Sequence, residues 1–102
     1  MKVRWTARAL VHLREIREYI ATDSPAAAAR MIAAIFEASS QLGRFPESGR
    51  PAGDWNGRPY RELIEPPYRI LYEIQRQTVF ILAVIHGRRD VARLIAKWKE
   101  QP

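Results

Sequence analysis

The chain has 102 residues, 47% of them hydrophobic, no cysteine, and a net charge of +6. That length suits one domain with a single core, residues 1–102, and the apolar content argues against disorder. Without cysteine there are no disulfides or thiolate metal sites. The longest apolar run, Val79 to Ile85, falls far short of the ~20 residues that span a bilayer.

Lys2 to Trp5 alternates Val3 and Trp5 with Lys2 and Arg4, which predicts a brief edge strand. Thr6 is placed to cap a helix starting at Ala7, whose apolar stripe is Leu10, Leu13, Ile16 and Ile20, and which ends near Ala21 or Thr22. Asp23-Ser24-Pro25 opens a second, alanine-rich helix. Its expected buried stripe is Ala28, Met31, Ile32, Ile35, Phe36, Ser39 and Leu42, with Gly43 as C-cap. The short connection makes the pair an antiparallel hairpin.

Phe45 to Asp54 has loop chemistry throughout, rich in proline and glycine. Tyr60 to Glu65 then alternates as a strand, with Tyr60, Glu62 and Ile64 on one face and Arg61, Leu63 and Glu65 on the other. Pro66-Pro67 turns the chain into a strand from Tyr68 to Ile74. Arg76-Gln77 joins that strand in a hairpin to a run, Val79 to Ile85, that is apolar on both faces and therefore central. His86-Gly87-Arg88-Arg89-Asp90 ends the run, and Val91 to about Lys99 forms a last helix with Leu94, Ile95 and Trp98 on its apolar face. The expected fold class is α+β: a small, mostly antiparallel four-stranded sheet with the N-terminal helical hairpin on one face, in the order β-α-α-β-β-β-α.

Several pieces of the chain, taken in this order, resemble the RelE/ParE superfamily of bacterial toxins, and are closer to its ParE branch. They are Trp5-Thr6 leading into a helix with Ile16, Tyr19 and Ile20; Asp23-Ser24-Pro25; Leu42 with Phe45-Pro46 and Gly49-Arg50; Arg61-Glu62-Leu63; Tyr68-Arg69-Ile70 with Tyr72; and His86-Gly87-Arg88-Arg89-Asp90. The resemblance implies the toxin of a type II toxin–antitoxin pair, neutralised in the cytoplasm by a ParD-like antitoxin whose acidic and apolar segment wraps it. It leaves two targets open: ParE-like members are associated with inhibition of DNA gyrase, RelE-like members with cutting messenger RNA on the ribosome.

Charge fits an acidic partner independently, because fourteen of the seventeen cations are arginine, whose planar fork suits carboxylate or phosphate. Cleavage of RNA needs proton transfer and stabilisation of a phosphorane. The groups for it would be His86, Arg61, Arg69 and Arg88, with Arg61 and Arg69 sharing a sheet face around a phosphate. Against catalysis, no tyrosine follows Tyr72, and lysine occurs only at position 2 and in the last six residues. Strand parity also groups His86 with Phe80, Leu82 and Val84, and Arg61–Glu62 and Arg69–Glu73 read as ion pairs within the sheet. The reading is therefore a binding toxin without chemistry of its own, directed at gyrase, with a ribosome-dependent messenger RNA endonuclease as the alternative. Its partner-binding residues are Arg61, Arg69, His86, Arg88, Arg89, Leu94 and Trp98, the last two marking an apolar surface for the antitoxin. Nothing spaces His12 and His86 with carboxylates as metal ligands, and no phosphate-cradling glycine loop occurs, so neither metal nor cofactor is expected.

Overall fold

A computed structural model describes residues 1–55 and 57–99. Local signals in the N-terminal half act where the sequence places them. Strand β1 (Lys2–Trp5) leads into helix α1 (Ala7–Ala21), and the Thr6 hydroxyl accepts the Ala9 N–H at 3.2 Å. Helix α2 (Pro25–Ser40) starts at Pro25 behind Ser24, whose hydroxyl accepts the Ala27 N–H at 3.1 Å. Each cap satisfies one N–H that the first helical turn leaves without a partner. A single 3₁₀ turn, Gln41–Gly43, tightens the end of α2. Gly43 is therefore not a left-handed cap; its carbonyl takes the chain's amino terminus at 2.7 Å.

The sheet has five strands rather than four, in the order β1-β5-β4-β3-β2. The additional one is β2 (Arg50–Trp55), from the stretch read as loop. It pairs antiparallel with β3 (Arg58–Glu65) through an irregularity between Pro51 and Gly53. Proline and glycine hide a strand from a propensity reading, yet both are tolerated at an edge, where one side needs no partner. β3 pairs antiparallel with β4 (Tyr68–Gln75), β4 with β5 (Thr78–His86), and β5 lies parallel to β1 on its other side.

Two cores flank the sheet. On one face α1 and α2 close over Tyr68, Ile70, Tyr72, Val79, Ile81 and Val84, with Leu13, Ile16, Ile35 and Leu42. On the other, α3 (Val91–Lys99) lays Val91, Ile95 and Trp98 over Tyr60, Leu71, Leu82, Ala83 and Ile85. The apolar run 79–85 thus lies in β5, next to the central strand β4, and is covered on both faces, which is why that run is apolar throughout.

One bulge in β5 decides the geometry that follows. Leu71 pairs with Ala83 while Tyr72 pairs with Ile81, so Leu82 is an extra residue and the inward–outward alternation shifts by one beyond it. Val84 therefore packs with Val79 and Ile81 rather than with Leu82. Among the described residues no helix is long and apolar enough to cross a membrane.

Candidate functional site

β1 ends where Trp5 pairs with Ile81, leaving the outer edge of β5 bare from Leu82 to His86. Thr6, the cap of α1, and His12 within α1 bond to part of this edge. Thr6 donates its N–H and hydroxyl to the Ile81 carbonyl at 3.1 and 2.8 Å, and His12 Nδ1 accepts the Val84 N–H at 3.3 Å. Because Ala9, Leu13 and Ile16 are the turns of α1 that face the core, the row Val11, Glu15 and Tyr19 looks along the sheet edge. Together with Tyr68, Val84, His86, Arg89 and Leu94 this row lines a groove of about 460 Å³. Tyr19 is 77% exposed and Val11 39%, so the groove wall is apolar and open to water.

The two histidines here have their protons placed by the backbone. His86 Nδ1 accepts the Arg88 N–H at 3.1 Å, as His12 Nδ1 accepts that of Val84. A neutral imidazole with Nδ1 used as acceptor carries its proton on Nε2. Both rings are thereby donors, and with the Arg89 guanidinium they leave Glu15 as the one carboxylate among the lining residues. Such a lining takes an acceptor, above all a carboxylate, and offers no free imidazole lone pair to a substrate hydroxyl.

Burial, with Arg8 and Arg89 adding to it and Glu15 opposing it, holds the His12 pKa below the ordinary histidine value of 6.5. The unfolded chain thus takes up this proton first as pH falls through about 6.5, and the folded state loses stability from there down to its own lowered pKa. We expect the melting temperature to fall between pH 7.5 and 5.5, and less steeply in His12→Asn. Equal pH slopes for the two proteins in thermal melts would remove His12 as the cause.

The remaining predicted site residues separate. Arg61 sits opposite Tyr72, and Arg69 opposite Ile64, in the β3–β4 register. This puts Arg61 on the α1–α2 face and Arg69 on the α3 face, so they do not hold one phosphate. Arg61 instead donates to the carbonyls of Gly49 at 2.7 Å and Glu47 at 3.3 Å. Arg69 donates to Glu62 at 2.8 Å and to the Gly87 carbonyl at 3.3 Å, fixing the turn that carries His86.

The expected ion pairs are replaced. Glu62 is shared by Arg50 and Arg69, and Glu73 lies 3.2 Å from Arg58, with burial pushing its pKa up. Strand neighbours such as Arg61 and Glu62 point to opposite faces, and four residues of strand put Arg69 and Glu73 about 13 Å apart. Beyond the bulge, His86 leaves the face of Phe80 and Leu82 and is exposed, its ring set edge-on to Tyr68 at 5.9 Å. Arg88 is exposed, and Arg89 and Leu94 line the groove. Trp98 does not present an apolar surface. It is 7% exposed, packed edge-on to Trp55 at 6.0 Å and capped by the Arg8 guanidinium at 4.3 Å. Sequence reasoning missed Val11, His12, Glu15, Tyr19 and Tyr68 as groove residues. The available signal was a second row of apolar side chains on α1, Val11 and Tyr19, beside the core stripe.

Comparison with known proteins agrees with this fold. The family described as ParE toxin of type II toxin-antitoxin system, parDE, matches residues 3–91. The protein Y4kP of Sinorhizobium fredii is 44% identical over 91 residues, covering 87% of this chain and 91% of the relative. Toxin RelE2 of Caulobacter vibrioides is 40% identical over 89 residues, covering 86% of this chain and 97% of the relative. Among solved structures, a chain of the chromosomal ParDE system from P. aeruginosa shares the fold, with a TM-score of 0.71 at 23% identity, covering 84% of this chain and 95% of that one. A chain of the RelBE2 toxin-antitoxin complex from Mycobacterium tuberculosis superposes with a TM-score of 0.62 at 29% identity over 83% of this chain and 95% of that one.

Proposed function

The chain belongs to the ParE toxin family of type II toxin–antitoxin systems, and on that premise we propose that it is a cytoplasmic toxin that acts by docking to DNA gyrase and is held inactive by a ParD-like antitoxin. The antitoxin presents an acidic segment with apolar anchors to the groove between α1, the end of β5 and the His86 turn. One observation carries this: the groove is walled by exposed apolar side chains and is lined by Arg89 and by two histidines whose Nδ1 atoms accept backbone N–H groups. Apolar anchors and carboxylates are what such a surface recognises. The solved relative from Mycobacterium tuberculosis is itself a toxin-antitoxin complex, which supports an antitoxin as the partner.

Gyrase is favoured over ribosome-dependent cleavage of messenger RNA because the groups that reading needs are engaged elsewhere. Arg61 and Arg69 lie on opposite faces, each tied to backbone carbonyls, and His86 Nδ1 is held by the Arg88 N–H. Purified toxin is expected to inhibit gyrase supercoiling in proportion to its concentration and to leave messages on translating ribosomes intact. Unaffected supercoiling at large toxin excess would remove gyrase as the target; cut messages, lost in His86→Ala, would establish the nuclease.

A further inference from the structure

Residues directly opposite each other on neighbouring strands share a face of the sheet. Lys2 stands opposite Thr78 and Arg4 opposite Phe80 across β1 and β5, and Gln75 stands opposite Thr78 across β4 and β5. All of them therefore lie on the α3 side, where Phe80 packs at the edge of that core. The buried residues of α3 pack farther along the sheet, over Tyr60, Leu71, Leu82, Ala83 and Ile85. At the β4–β5 turn this leaves a pocket of about 390 Å³, with Phe80 half-buried in its wall and Arg76 of the turn beside it. Lys2, Arg4 and Arg76 are exposed and make no ion pair among the described residues. No carboxylate is among the described residues that line the pocket.

We propose that this pocket binds single-stranded nucleic acid, with one base stacked on Phe80 and the neighbouring phosphates held by Lys2, Arg4 and Arg76. Charge selects an anion: three clustered cations on a chain of net charge +6 repel a second copy and attract phosphate or carboxylate. Lys2 and Arg4, two residues apart on one strand, stand about 7 Å from each other, so they meet successive charges of an extended polyanion. Phe80 selects among polyanions. An aromatic ring among cations is a stacking platform for an unpaired base. An acidic peptide has no flat group to lay on it, and a duplex keeps its base faces covered.

The turn supplies a second observation. Arg76 and Gln77 have φ of 48° and 61°, the left-handed region that glycine and asparagine enter far more readily. Arginine there works against the turn, so its side chain is what accounts for it. The pocket is also distinct from the groove at His86. It sits at the start of β5, which runs from Thr78 to His86, about 26 Å. The inference therefore stands whether or not an antitoxin fills that groove, and it suits either target considered above, since DNA gyrase and the translating ribosome both hold nucleic acid.

The test measures fluorescence anisotropy of a short labelled oligothymidylate with the full toxin over a range of salt concentrations. Phe80→Leu, which keeps an apolar side chain but removes the ring, is expected to weaken binding about fivefold or more. Lys2→Gln, Arg4→Gln and Arg76→Asn, the last chosen to suit the turn, are each expected to lower the slope of log affinity against log salt by about 0.7. Arg14→Gln, an exposed change on α1, is expected to leave affinity and slope as they are. Thermal melting checks that each variant keeps its fold. No binding at low salt would overturn the proposal, as would an Arg14→Gln loss equal to those in the pocket. Polyglutamate competing as well as unlabelled oligothymidylate would replace the nucleic acid with an acidic peptide. A duplex that binds as tightly, with Phe80→Leu silent, would overturn the stacked base.

Discussion

Glu62→Ala is expected to destabilise the protein by about 3 kcal/mol or more, within the range for removing one partner of a buried ionic network. The carboxylate is 3% exposed and holds Arg50 at 2.7 Å and Arg69 at 2.8 Å. The two arginines do not suffer equally when it goes. Arg50 is 67% exposed and turns into water, whereas Arg69 is 21% exposed and keeps a guanidinium against the sheet with only the Gly87 carbonyl for company. The expected order of cost is therefore Glu62→Ala, then Arg69→Ala, then Arg50→Ala, the last below about 1 kcal/mol as for an exposed pair. Glu62→Gln keeps the shape and one acceptor and should fall between the first and the last. Urea unfolding of the four variants measures this. Equal losses for Glu62→Ala and Arg50→Ala would mean that Arg69 relaxes freely and that the network is not what binds β2, β3 and the Gly87 turn together. Since domains of this kind hold only about 5–15 kcal/mol in all, Glu62 is a large share of the stability. Its loss would also loosen the turn that aims His86 and Arg89 into the groove.

That network was half visible in the sequence. Arginine and glutamate on alternating strand positions announced ion pairs, and parity correctly put Tyr60 and Glu62 on one face. Who pairs with whom depends on register and on β2, and β2 is concealed by Pro51 and Gly53. The caps at Thr6 and Ser24 were legible because capping is local chemistry, settled within a few residues. The bulge at Leu82 was not, since an extra residue inside an uninterrupted apolar run changes no pattern, yet it sends His86 to the face opposite the one parity assigns. Trp98 shows a different limit. The apolar face of α3 was plain, but whether its own sheet or another chain covers that face is a tertiary fact. Leu10 and Phe36 fail in the opposite direction: periodicity marks a stripe wider than the core uses.

Gly49→Ala is expected to cost about as much as Glu62→Ala, for a reason of space rather than backbone conformation. Gly49 is not among the residues with positive φ. A Cβ on it would lie 2.5 Å from the Tyr72 hydroxyl oxygen and 2.7 Å from the Glu62 carbonyl oxygen. Neither neighbour yields readily, because the Tyr72 side chain is fully buried and the Glu62 carbonyl belongs to the middle of β3. The same hydroxyl accepts the Gly49 N–H at 2.8 Å and donates to the Pro46 carbonyl at 2.8 Å, so the clash also breaks two hydrogen bonds, the first buried and the second partly so. Overpacking of roughly 1–3 kcal/mol adds to roughly 1–3 kcal/mol for the groups left unpaired. Tyr72→Phe isolates the second contribution: it removes the hydroxyl, keeps the ring and strands the Gly49 N–H and the Pro46 carbonyl, at about 1–3 kcal/mol. The combination separates the two effects. With the hydroxyl gone, the methyl of Gly49→Ala loses its closest obstacle but still meets the ring and the Glu62 carbonyl, so the double variant should be less destabilised than the two singles summed, by about 0.5–3 kcal/mol. Strict additivity in urea unfolding would show that Gly49 and Tyr72 act separately. Coupling would show that one hydroxyl pins the Phe45–Gly49 loop to the sheet and so delivers Arg50, the next residue, to Glu62.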